Sequence, residues 1–148
     1  MSQSIRKAVN STRPTTAGLQ REFYLLDASK IPVGRLATEA ARLLTGKNLA
    51  TYSQDVNMGG VVVIINASQS VLTGMKPEKK NYFRYSGRMG GMHVTSFKDQ
   101  MKKDDTYPIY HAIKGMLPKN RYRDIRMNQL LHIFSKGHNL PNKMVEVN

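Results

Sequence analysis

The sequence contains no cysteine and no tryptophan. Without cysteine, disulfides and thiolate-bound zinc are excluded, which fits a reducing compartment. Acid is also scarce: 10 Asp and Glu stand against 23 Lys and Arg, a formal net charge of +13. Long apolar runs are missing too. The longest, Val61 to Ile65, is far too short to cross a bilayer. The first residues lack the apolar centre of a secretory signal.

What is present is a chain of 148 residues, 40% of them hydrophobic, a usual size for one domain with a core. A compact domain with so large a cationic excess repels itself, and the commonest compensation is a polyanion partner. Each phosphate neutralised by Lys or Arg releases condensed counterions, giving salt-dependent and largely sequence-independent affinity. An anionic membrane would instead demand a basic amphipathic helix with a bulky apolar face. No segment fits that description better than it fits a core helix, so no membrane partner is expected. An acidic protein partner stays open on charge alone.

Residues 1–21 read as a basic arm: Arg6, Lys7, Arg13 and Arg21 with no acid and little periodicity. A disordered terminus, an arm that orders on RNA and a transit peptide share this composition. The globular domain is expected over residues 22–141, with a short tail at 142–148. Phe23 to Leu26 reads as a buried strand. Val33, Leu36, Ala37, Ala40, Leu43 and Leu44 recur at helical spacing, and Gly46 stands where a helix-ending glycine belongs. Val61 to Ile65 is β-branched without alternation, as in a strand covered on both faces. Together these make a βαβ unit.

Beyond a turn at Thr73-Gly74, Tyr82 to Tyr85 is a third candidate strand. Ser86 to Gly91 is too glycine-rich for regular structure. Thr95 or Ser96 is placed to cap a short helix, and Pro108 to open another that ends before Pro118 with Ile109, Ile113 and Met116 on one side. Arg121 to Leu130 is a basic helix candidate, and Leu131 to Phe134 a fourth strand. The tail after Gly137 shows no pattern.

Enzyme signatures fail. Gly46-Lys47 is no phosphate-binding P-loop, because Ala41 and Asn48 occupy positions that must be Gly and Ser or Thr. The glycines of 87–91 lack dinucleotide-fingerprint spacing. His93, His111, His132 and His138 include no i, i+4 metal pair, so no metal and no cofactor is expected. Basic residues instead crowd two segments. Lys76, Lys79, Lys80, Arg84, Arg88, Lys98, Lys102 and Lys103 interleave with Tyr82, Phe83 and Tyr85; Lys114, Lys119, Arg121, Arg123 and Arg126 follow with only Asp124 against them. Such runs are often just solvated loops. Their repetition favours binding of RNA by shape and charge, without the aromatic signature of a single-strand reader.

These residues also carry a family resemblance. The stretch from Leu26-Asp27-Ala28 to Gly34-Arg35-Leu36-Ala37 resembles the opening signature of the large-subunit ribosomal protein thirteen family, in its bacterial and organellar form. Val63 to Ala67, Thr73 to Lys76, Tyr82 to Gly91 and Lys114-Gly115-Met116-Leu117-Pro118-Lys119 match further family motifs in order. The resemblance spans about residues 22–141. It implies an α/β fold of three α/β/α layers around a central, mainly parallel four-stranded sheet. It implies a non-catalytic structural role on large-subunit rRNA, early in subunit assembly, beside neighbouring large-subunit proteins. The family is at home on cytoplasmic ribosomes, with organellar ribosomes as the alternative. No homo-oligomer is expected.

Two departures stand out. The family pattern has Gly-Asp where this chain has Gly59-Gly60, and a His-x-His motif is reduced to His138-Asn139-Leu140.

The expected contacts to the rRNA backbone are Arg35, Lys76, Lys80, Arg84, Arg88, Lys114, Lys119, Arg121 and Arg123. Gly87, Gly90 and Gly91 would let RNA approach the main chain, and His138 could donate to phosphate or stack on a base. Arg35 has a second reading, an internal pair with Asp27. The same surface would serve a free regulator binding its own messenger; a phosphate-handling enzyme would need a saturable small ligand.

Overall fold

A computed structural model describes residues 20–137 and 145–147. The expected arm, apart from residues 20 and 21, and the expected contact at His138 lie outside the described residues.

The βαβ unit forms as its pattern predicts. Strand β1 (Phe23–Asp27) leads into helix α1 (Val33–Thr45), which returns to strand β2 (Val61–Ile65). Leu36, Ala37, Ala40 and Leu44 are fully buried along one stripe of α1, the 3.6-residue pattern that drives an amphipathic helix onto a sheet. Gly46 ends the helix at φ 79°, with its N–H donating to the carbonyls of Arg42 and Leu43 at 3.1 Å. A side chain there would also crowd the backbone of Met58 and Gly59 at about 3.1 Å.

β2 pairs in parallel with β1, from Phe23 opposite Val61 to Asp27 opposite Ile65. On its other edge it pairs with β5 (Leu131–Ile133), also in parallel. The sheet has four strands, with β5, β2 and β1 in that order and one more strand beyond β1, and is flanked by helices, the α/β architecture expected. Its last strand, β6 (Val145–Glu146), pairs with β1 through Tyr24 and Leu25. The sequence offers no signal for β6: two residues are too few for any periodicity.

Tyr82 to Tyr85 is a strand, but not of this sheet. It belongs to β3 (Asn81–Tyr85), which pairs antiparallel with β4 (Met92–Ser96) in a separate two-stranded hairpin. A one-turn helix, α2 (Lys76–Lys79), precedes the hairpin, and α3 (Phe97–Lys103) follows it. The Ser96 hydroxyl caps α3 by accepting from the Asp99 N–H at 3.2 Å. Helix α4 (Tyr107–Met116) opens with Pro108 in its first turn and packs on α1. Ile109 and Ile113 are fully buried, but Met116 is 46% exposed, contrary to the expected stripe. Leu117, just past the helix, takes the core position instead. The basic helix is split into α5 (Arg121–Ile125) and a π-helical turn (Arg126–Leu130).

The Gly59-Gly60 departure has a steric reason. A Cβ built on Gly60 would lie 2.5 Å from the Tyr24 ring and 2.8 Å from the Glu22 carbonyl oxygen. Tyr24 fills that space. Its hydroxyl donates to Glu22 Oε2 at 2.6 Å and accepts from Asn48 Nδ2 at 2.7 Å. Gly60→Asp is therefore expected to lower unfolding stability by about 1–3 kcal/mol through overpacking. In a double-mutant cycle by denaturant titration, Tyr24→Ala should offset part of that loss. Additive losses would show that the ring is not what excludes the side chain.

Asp27 closes the end of β1. Its Oδ1 accepts from the Ser29 N–H at 3.0 Å, the Ser29 hydroxyl at 2.7 Å and Asn66 Nδ2 at 3.1 Å. Burial pushes the Asp27 carboxyl up, but these bonds and nearby Lys30 outweigh it and leave the carboxyl below its ordinary value. A group depressed in the folded state stabilises above the unfolded carboxylate pKa and loses that contribution as pH falls through its folded pKa. Asp27→Asn should accordingly flatten the acid limb of stability, measured as Tm against pH below neutrality.

Candidate nucleic-acid interface

The expected cations fall into three places. The first is a cleft of about 430 Å³ where α1 begins, lined by Pro32, Val33, Gly34, Arg35, Val71 to Thr73 and Lys76. A bridge between Pro32 and Val71 joins its walls, and the Val33 N–H donates to the Val71 carbonyl at 3.0 Å. Arg35 and Lys76, far apart in sequence, thus face one opening beside the positive end of a helix dipole. Arg35 is exposed. It makes no ion pair with Asp27 among the described residues, whose carboxylate is taken by Ser29 and Asn66.

The second place is the hairpin. Arg84 lies opposite His93. A groove of about 760 Å³ between the hairpin and helices α3 and α4 is lined by Arg84, His93, Gln100, Lys103 and Tyr107, among others. Tyr82 seats the hairpin: it is 7% exposed, with its ring edge-on to Tyr107 at 5.3 Å and to His111 at 5.4 Å. Lys80 is half-buried with its Nζ 5.2 Å from the centre of the Tyr82 ring. Burial and the neighbouring charge of Lys76 lower its pKa. Lys80 therefore holds the base of the hairpin as well as carrying charge.

At the tip, Gly87 and Gly90 have φ of 85° and 72°, with open space where a side chain would stand. Their requirement is conformational. Gly91 is different: a Cβ there would meet the Ser86 hydroxyl and the Arg88 carbonyl. The Ser86 N–H donates to the Gly91 carbonyl, and the Gly91 N–H to the Arg88 carbonyl, both at 3.0 Å. This tight turn leaves Arg88 exposed at the tip.

The third place is the end of α4 and the start of α5. Lys114 and Arg121 are exposed and lie over their own neighbours' rings, Tyr110 at 5.9 Å and Tyr122 at 5.5 Å. Lys119 is exposed, and Arg123 is partly buried with only a long contact, 3.5 Å, to Asp124. Arg42 and Lys47 join this region, lining a cleft of about 540 Å³ with Thr38, Met116 and Pro118. In the sequence Arg42 looks like the ordinary polar side of α1 and Lys47 simply follows the helix-ending Gly46, so no local signal marks either. The motif from Lys114 to Lys119 works here as an anchor: Leu117 enters the core while Met116 meets the Thr38 hydroxyl at 3.5 Å.

Two cations turn out to bind the fold itself, one of them buried. Arg126 is only 2% exposed, and its Nε donates to Asn57 Oδ1 at 3.0 Å beneath the Tyr122 ring. Burial lowers its pKa. Arg21, counted with the arm, donates to the carbonyls of Gly59 and Asn57. The loop before β2 is thus held from two directions. Nothing in a basic run marks which arginine turns inward. Among the described residues, no group of three or more His, Asp or Glu could hold a metal, and no helix is long and apolar enough to cross a membrane. Arg126→Ala should destabilise the fold by about 2–4 kcal/mol, leaving a cavity and an unpaired Asn57. Arg126→Met, which keeps the apolar stem, should lose clearly less in the same denaturation assay.

Comparison with known proteins gives these features a context. Residues 21–139 match the family described as Ribosomal protein L13. The large ribosomal subunit protein uL13 of Desulfitobacterium hafniense (strain DSM 10664 / DCB-2) is 46% identical over 103 residues, covering 70% of this chain and 72% of that protein. That of Clostridioides difficile (strain 630) is 43% identical over 119 residues, covering 80% and 82%. That of Microcystis aeruginosa is 46% identical over 107 residues, covering 72% and 71%. With four-fifths of the chain matched in order, and with the parallel sheet and the motif-bearing turns in place, this chain belongs to the ribosomal protein L13 family.

Proposed function

We propose that this ribosomal protein seats on large-subunit rRNA of the cytoplasmic ribosome through phosphate contacts, early in subunit assembly. The observation that carries the proposal is the hairpin tip. Arg84, near the end of β3, and Arg88, on the turn, are exposed there, and the glycines at 87 and 90 fix the turn's shape without filling the space around it. Guanidinium forks suit phosphate oxygens, and a projecting two-stranded ribbon reaches farther into a folded RNA than a flat surface does. The cleft with Arg35 and Lys76 offers a second seat at a helix N-terminus, where N–H groups favour anions. Lys114, Lys119, Arg121 and Arg123 supply a third seat. None of these cations is needed by the core, which leaves their charge free to serve assembly.

The Arg84→Ala/Arg88→Ala double variant should fold normally by circular dichroism and thermal melting. Its occupancy in purified large subunits should fall, and its affinity for large-subunit rRNA should depend less on salt. The slope of log affinity against log salt is expected to drop by about 2, one unit for each phosphate that is no longer neutralised. Unchanged occupancy and slope would remove the hairpin from the interface.

A further inference from the structure

The β3–β4 hairpin has two faces of opposite chemistry. Residues directly opposite each other in an antiparallel ladder share a face. One face therefore holds Tyr82, Arg84, His93 and Thr95, and packs toward α4 through Tyr82. The other holds the pairs Phe83–Val94 and Tyr85–Met92, with Asn81 and Ser96 at its base. This second face has no charged residue. Its four apolar side chains are 68%, 51%, 66% and 62% exposed in that order, and Met89 at the turn is completely exposed.

An isolated two-stranded ribbon is marginally stable in water, and this one is supported by packing on α4 through Tyr82, which leaves its second face uncovered. A contiguous apolar patch of this kind on a small domain marks a docking surface. Charge decides between the possible occupants. RNA binding is driven by phosphate neutralisation, and even stacking platforms for bases lie in cationic grooves. The cations of this hairpin are on the other face and at the tip, so the apolar face offers phosphate nothing. A second copy would bring together two chains of net charge +13, a repulsion that four exposed side chains do not offset. A protein surface fits: aromatic residues and methionine with charge excluded from the centre is the composition of a protein–protein interface core.

We infer that the outer face of the hairpin, formed by Phe83, Tyr85, Met92 and Val94, docks an uncharged apolar patch on a neighbouring large-subunit protein. The hairpin then acts as a wedge, with rRNA at its basic side and tip and protein on its apolar side. This rests on the ribosomal seat proposed above.

Photo-cross-linking in assembled large subunits tests it. A benzoylphenylalanine replaces Tyr85 in one full-length chain, Val94 in a second and Arg88 in a third. Probes at 85 and 94 should give nuclease-resistant, protease-sensitive adducts mapping to one and the same protein. The probe at 88 should give an rRNA adduct. Phe83→Asn should lower the protein adduct from position 85 by about tenfold, and Phe83→Leu by no more than about twofold, as for loss and retention of one apolar anchor. Adducts from 85 and 94 to rRNA, to a second copy of the chain, or to nothing would overturn the docking face while leaving the rRNA seat standing. A chain absent from the large-subunit fraction would overturn both readings, and an Arg88 probe that misses rRNA would overturn only the hairpin-tip contact.

Discussion

The burial of β2 is the interaction on which the rest of the molecule depends. Val61 to Ile64 are at most 8% exposed, and the strand is paired in parallel along both edges. Parallel pairing requires a crossover, and α1 supplies it, with its buried stripe lying over the sheet. The cleft at the start of α1, the anchor at Leu117 and the loop gripped by Arg21 and Arg126 are all positioned by this unit. An apolar strand without a charge in it lets a chain of net charge +13 fold at all, because the repulsion is moved to the periphery.

That periphery is not uniform. Arg35, Arg84, Arg88, Lys114, Lys119 and Arg121 point outward, whereas Lys80 leans on Tyr82 and Arg126 is buried against Asn57. A buried guanidinium with no carboxylate partner among the described residues persists because its stem packs and its Nε–H has Asn57 as an acceptor. Cation counts therefore overstate the binding surface. The hairpin is the opposite case. It carries few cations, but its separation from the main sheet lets them project, and it exposes an apolar face that the core does not use.

Much of this was legible from the residues. The βαβ unit was readable because its signals are local and strong: a β-branched run, a helical stripe and a terminal glycine. The Ser96 cap and the opening of α4 at Pro108 followed for the same reason. Met116 failed because a helical period cannot say that the helix stops one residue early and lets Leu117 turn into the core. β4 was overlooked although Met92-His93-Val94-Thr95-Ser96 alternates apolar and polar residues as a strand does, because the run is only five residues long between a glycine-rich turn and a helix cap. β6 was hidden because only its partner, Tyr24-Leu25, defines it as a strand.

The sequence by itself determined the charge, the exclusion of disulfide and thiolate–zinc chemistry, the βαβ core and, through ordered motifs, the ribosomal protein family. Those properties live in composition and short-range spacing. Only the tertiary structure decided that Tyr82 to Tyr85 leaves the central sheet for a hairpin, that Arg35 and Lys76 share a cleft, that Tyr24 closes the space beside Gly60, and which arginine is buried. Each of these depends on contacts between residues distant in the chain, where packing rather than local preference selects the partner.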